Sequence, residues 1–108
     1  MAKFLLFVRH STEPTSQPSP EEMQALGAAW YAWMNKFNAA ILPGGDGLKP
    51  EGKVIRDGIV SDGPYVEAKE FIASFTIIQA DDIEGALAIA RECPGNPLIE
   101  IREMAGYA

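Results

Sequence analysis

Asp57-Gly58-Ile59-Val60-Ser61-Asp62-Gly63-Pro64-Tyr65-Val66-Glu67-Ala68-Lys69-Glu70 is the stretch on which the fold turns. Asp-Gly between apolar runs sets a two-residue hairpin loop, because glycine accepts positive φ without steric cost and aspartate tolerates it. Val54-Ile55-Arg56 and Ile59-Val60-Ser61 are therefore expected to pair. The second turn, Asp62-Gly63-Pro64-Tyr65, aims Asp62 to Tyr65 away from those strands.

Working outward, the N-terminal run Lys3 to Arg9 predicts a strand. Phe4, Leu6 and Val8 take one face, Leu5 and Phe7 the other. His10 follows at the strand's C-terminal end. After the loop STEPTSQPSP, Ser19 is a good N-cap, Pro20 suits the first helical position and Glu22 closes a capping box. Met23, Leu26, Trp30, Trp33, Met34, Phe37 and Ile41 then recur at helical steps, which predicts a long helix ended by Pro43-Gly44-Gly45. The aromatic stripe is read as core, since helical spacing alone accounts for it. Gly44 to Pro50 reads as a loop into a short strand. It lacks the Gly-Lys-Ser/Thr of a phosphate-binding P-loop.

Phe71 to Ala80 is the strongest strand. Phe71, Ala73, Phe75 and Ile77 lie on one face; Ile72, Ser74, Thr76 and Ile78 lie on the other. Asp81 is expected to cap a second helix with Glu84 in the capping-box position and Ile83, Ala86, Leu87, Ala90 and Cys93 as its buried stripe. Pro94 and Gly95 stop it, and Leu98 to Arg102 is the last strand.

Strand, helix, hairpin, strand, helix, strand is the ferredoxin-like split β-α-β pattern of an α+β domain with an inserted β-hairpin. Right-handed crossovers place both helices on one face of the sheet. Three pairs of candidates remain for the other face: Phe4 or Phe7, Ile72 or Phe75, Ile99 or Leu98. Bare, that face exposes several hundred Å² of apolar surface, more than monomers usually show. A two-fold homodimer, sheet against sheet, is the expected remedy.

Composition bounds the rest. A chain of 108 residues with 47% hydrophobic residues is expected to form one domain over 1–108. A net charge of −6 with scattered basic residues argues against a nucleic-acid partner. No run reaches the roughly 18 apolar residues of a membrane span, and MAKFLLFVRH reads as a strand rather than a signal peptide. With Cys93 the single cysteine, no intrachain disulfide forms, which fits a cytoplasmic location. One histidine, one cysteine and dispersed carboxylates give no metal-ligand spacing, so neither metal nor other cofactor is expected.

Val60-Ser61-Asp62-Gly63-Pro64-Tyr65-Val66-Glu67-Ala68-Lys69-Glu70 resembles the V-T-D-G-P-F-x-E-x-K-E signature of DGPF-domain proteins in the YCII-related superfamily. Phe75-Thr76-Ile77-Ile78, Glu92-Cys93-Pro94, Glu100-Ile101-Arg102 and Gly44-Gly45-Asp46-Gly47-Leu48 resemble further parts of that pattern, so the likeness spans nearly the whole chain. Tyr65 for Phe and Ser61 for Thr are the departures within the run, and family members often carry His where Lys49 stands. The resemblance implies a dimeric α+β barrel of two ferredoxin-like sheets. It also implies, from some relatives, a His–Asp pair and small aromatic-ring substrates.

His10 and Asp62 are the candidate catalytic pair: histidine titrates unassisted near neutral pH, and a carboxylate orients its ring. The plain alternatives are a surface histidine and an Asp-Gly-Pro turn cap. Arg9, Lys49, Tyr65 and Lys69 are the candidate substrate-binding residues: the cations for an anionic group, Tyr65 for a ring or the dimer seam. Two functions stand. One is a small cofactor-free enzyme doing acid–base chemistry on a small polar or aromatic molecule. The other is a non-catalytic metabolite-binding or regulatory module.

Overall fold

The computed structural model describes residues 1–11, 18–63, 70–94 and 98–107. Its elements run β1 (Ala2–Ser11), α1 (Pro20–Lys36), β2 (Ile41–Gly47), β3 (Gly52–Arg56), β4 (Ile59–Gly63), β5 (Glu70–Ala80), α2 (Ile83–Ala90) and β6 (Ile99–Glu103). The main sheet has the order β2-β5-β1-β6, every neighbour antiparallel, while β3 and β4 form a separate hairpin. This is the ferredoxin-like α+β topology with a hairpin inserted between the second and third strands of the main sheet.

The central pairing is β1 with β5. Phe4 lies opposite Ile78, which lies opposite Ile41; Leu6 faces Thr76 and Ile101; Val8 faces Ser74 and Ile99. Period-two alternation puts all of these on one side. There Phe4, Leu6, Val8 and Ile78 are buried against Trp33 of α1 and against Ala86, Ile89 and Ala90 of α2. Each fully buried side chain of this size contributes about 1.5–3 kcal/mol. The helices are joined by Trp33, whose indole N–H donates to the Ile89 carbonyl at 3.0 Å. Leu5, Phe7, Leu42, Phe75 and Ile77 occupy the other side and stay only partly buried. So of the pairs left open by the sequence, Phe7 and Phe75 belong to the open face, and Phe4 and Ile99 to the core.

The hairpin forms as expected. Arg56 pairs with Ile59, and Asp57 (φ 51°) and Gly58 (φ 78°) carry the two positive φ values of a type I′ turn. It packs chiefly on itself. Its apolar residues Ile55 (72% exposed), Ile59 (71%) and Val60 (60%) face solvent. An arm of this kind accounts for a radius of gyration of 15.5 Å, against about 13 Å for a compact chain of this length.

Three expectations are corrected. The first helix ends at Lys36, with Phe37 as its C-cap, and not at Pro43. Ile41 and Leu42 are strand residues because pairing with Ile78 and Ile77 captures them for the sheet. With the helix shortened, its stripe is buried at Trp33 alone, and Met23, Leu26 and Met34 are exposed. The second helix is capped by Asp82, whose Oδ1 accepts from the Gly85 N–H at 2.9 Å; Asp81 lies one residue too early. Its buried side is Ala86, Ile89 and Ala90, and Ile83 is exposed. The Ser19–Glu22 capping box of α1 forms in both directions. No helix among the described residues is long and apolar enough to cross a membrane.

Capping separates the two aspartates in a measurable way. Asp82→Ala is expected to cost about 1 kcal/mol and lower the thermal midpoint by roughly 4–8 °C, while Asp81→Ala stays within about 0.5 kcal/mol. Thermal unfolding followed by circular dichroism reads both.

Candidate functional site

The described structure places the sequence-predicted residues at separate points. His10 is exposed near the end of β1, opposite Phe71, and meets the edge of that ring at 6.0 Å between centroids. Arg9 precedes it after a register shift between Val8 and Arg9. Its Nε and Nη2 donate to one oxygen of Glu100, Oε1, at 3.0 and 2.7 Å. The pair is about one-third exposed on both sides, so it adds little to stability, at most about 1 kcal/mol. It does commit the Arg9 guanidinium to a carboxylate of the same chain.

Asp62 lies in β4, directly opposite Lys53, and the two form an exposed ion pair at 2.5 Å. In the described structure Asp62, the expected catalytic partner of His10, is a strand residue in a cross-strand pair. Lys53 and Asp62 line a depression with Pro50, Glu51, Gly52 and Gly63. His10 and Asp62 share no hydrogen bond. Lys49 is exposed and unpaired among the described residues. Tyr65 and Lys69, with Glu67, lie outside the described residues.

A larger concavity lies elsewhere, at the β2 edge of the sheet. Leu42 is opposite Ile77 and Asp46 is opposite Phe75, so Pro43, Gly44 and Gly45 together face the single residue Thr76. The cause is local. Proline has no N–H to give the ladder. Gly44 takes φ +114°, which favours glycine. At Gly45 a Cβ would sit 2.6 Å from the Phe75 carbonyl oxygen, so the bulge crosses its neighbour where only glycine fits. An edge bulge both bends the strand and re-aims its side chains.

That bulge opens a cleft of about 820 Å³ between β2 and α1. Helix α1 supplies Trp30, Tyr31, Met34 and Asn35, and Asn38 follows its end. The bulge supplies Pro43 to Gly47, and β5 supplies Ser74, Phe75 and Thr76. The walls are thus largely aromatic and aliphatic with a few polar groups, the usual make-up of a small-molecule site. Asp46 is the one charged side chain among the described lining residues. Its Oδ1 accepts from the Gly47 N–H at 2.8 Å, and its other oxygen makes no hydrogen bond among the described residues. Neither His10 nor Asp62 lines this cleft. Sequence reasoning missed it because it placed Pro43-Gly44-Gly45 after a helix. The three residues Pro-Gly-Gly inside an edge strand are the signal that could have found it.

Among the described residues there is no group of three or more His, Cys, Asp or Glu placed to hold a metal ion. Comparison with known protein families finds a match to the model described as YCII-related domain, over residues 3–104. No curated protein matches the chain.

Because the cleft is built on the bulge, glycine substitutions there should differ sharply. Gly45→Ala is expected to destabilise by about 1–3 kcal/mol through overpacking against the β5 backbone. Gly47→Ala, with nothing near its added methyl, should stay within about 0.5 kcal/mol. Urea unfolding midpoints decide this, and equal losses would mean that β2 does not cross β5 as described.

Proposed function

This chain belongs to the YCII-related domain family, matched over residues 3–104, and from that premise we propose that it is a small-molecule-binding protein working as a homodimer. The cleft between α1 and the β2 bulge carries the reading, since it joins a sizeable apolar lining to a few polar groups. The DGPF-type run Val60–Glu70 supports assignment to the DGPF subgroup of that family. The open sheet face with Leu5, Phe7, Phe75 and Ile77, and the exposed hairpin with Ile55, Ile59 and Val60, support a second copy as the partner. A cytoplasmic location accords with a single, buried cysteine, Cys93. Nucleic acid and membrane are not proposed as partners, given the net charge of −6.

A second reading is acid–base catalysis on a small polar or aromatic molecule without a cofactor, with His10 and Asp62 as the catalytic pair. What favours it is the exposed His10 ring, whose contact among the described residues is the edge of Phe71 and not a fixing hydrogen bond. Arg9, Lys49, Tyr65 and Lys69 would then bind the substrate. For Arg9, that role requires an anion to displace Glu100.

A thermal-shift metabolite screen separates the two readings. A ligand at about 100 times its Kd should stabilise the wild type by roughly 2.7 kcal/mol. The binding reading expects that gain to shrink in Tyr31→Ala and to survive in His10→Ala and Asp62→Ala. Loss in the latter two with Tyr31→Ala intact transfers the site to the catalytic pair. Assembly has its own check. Light scattering should give twice the mass of the chain, and Phe7→Lys should halve it; a wild-type monomer at micromolar concentration overturns the dimer.

A further inference from the structure

Resting on the cleft reading above, we infer that the ligand is a cation: an organic amine or quaternary ammonium whose apolar or aromatic body lies along α1. Three observations converge on this class. First, charge within the described lining is confined to Asp46, a negative group with no positive one beside it among those residues. Lys49, three residues on, is not among the lining residues. An anionic ligand would be repelled by the Asp46 carboxylate, whereas an ammonium is attracted by it.

Second, Asp46 has acceptor capacity to spare. Its Oδ1 accepts the Gly47 N–H at 2.8 Å, which holds the side chain in place, while Oδ2 makes no hydrogen bond among the described residues. Asp46 stands opposite Phe75 across the β2–β5 ladder and lines the cleft from its β2 wall. Third, the remaining walls are those that recognise cations without charge. Trp30 and Tyr31 of α1 contribute π systems whose faces are electron-rich, and Met34 adds an apolar, adaptable wall. Tyr31 is 70% exposed, and so uses little of its ring on the core. A net charge of −6 raises the local concentration of cations further.

The amide groups Asn35 and Asn38 complete the lining at the helix end and accept hydrogen bonds from a protonated amine through their carbonyl oxygens. The recognition is therefore carboxylate plus aromatic wall plus neutral amides, with no basic group among the described lining residues.

The test compares 2-phenylethylamine, 3-phenylpropionamide and 3-phenylpropionate, probes of similar bulk that differ in charge. Each is titrated into the full chain and followed by amide and indole resonances of Trp30, Tyr31, Gly44, Gly45 and Gly47. The amine is expected to bind about tenfold more tightly than the carboxylate, with the neutral amide between. Asp46→Asn keeps an oxygen for the Gly47 N–H, so it should leave the fold intact and bring the amine down to the level of the amide. Tyr31→Ala should weaken the amine severalfold. A preference for amine that survives Asp46→Asn would reflect the overall charge of the protein and overturns the inference. Equal or tighter binding of the carboxylate at these resonances overturns the cationic class but keeps the cleft as a binding site. If none of the three probes perturbs them, both readings fall.

Discussion

The antiparallel ladder between β1 and β5 is the interaction on which the rest depends. It lies at the centre of the sheet and carries Phe4, Leu6 and Ile78, the largest fully buried side chains among the described residues. A strand alternates its side chains with period two, so this one pairing settles two surfaces at once. Phe4, Leu6 and Val8 demand cover and obtain it from α1 and α2. Leu5, Phe7, Phe75 and Ile77 are equally committed to the other surface by the same register, and both helices are already used. The apolar character of the open face is thus a geometric consequence of a core strand that is apolar at nearly every position.

The sheet's outer edge shows a different solution to a related problem. An exposed edge strand offers unpaired backbone groups to any passing chain, and proteins blunt such edges with proline and bulges. Pro43, Gly44 and Gly45 do both in β2. The same distortion that spoils the edge for strand addition moves the backbone out from β5 and leaves room beneath α1. Edge protection and cleft formation therefore have one cause.

The charged residues singled out at the start, where described, lie outside the cleft. Arg9 is spent on Glu100 and Asp62 on Lys53, both within the chain. These are ordinary partly or fully exposed pairs, whose net stabilisation is small because water screens them and side-chain ordering opposes them. His10, at its end of the sheet, has only the edge of Phe71 as a ring partner and no ion pair among the described residues. The hairpin turns its apolar residues Ile55, Ile59 and Val60 outward, away from the described core.

Much of this was legible in the residues. Period-two runs located β1 and β5, the Asp57-Gly58 pair located the hairpin to the residue, and Ser19-Pro20-Glu21-Glu22 located the start of α1. Those features are local: backbone sterics and near-neighbour hydrogen bonds decide them within a few residues. Family membership was legible too, through motifs spread along the whole chain. Where α1 stops was not, because Ile41 continues a helical stripe and only its distant partner Ile78 makes it a strand residue. For the same reason the cleft was invisible, being formed by a bulge whose meaning depends on the strand beside it. Alternation and turn chemistry by themselves determined β1, the hairpin, β5 and the start of α1, and with them the two-faced sheet. Only the long-range pairing of β2 with β5 decided where the chain leaves room for a ligand, since register is a property of two strands and never of one.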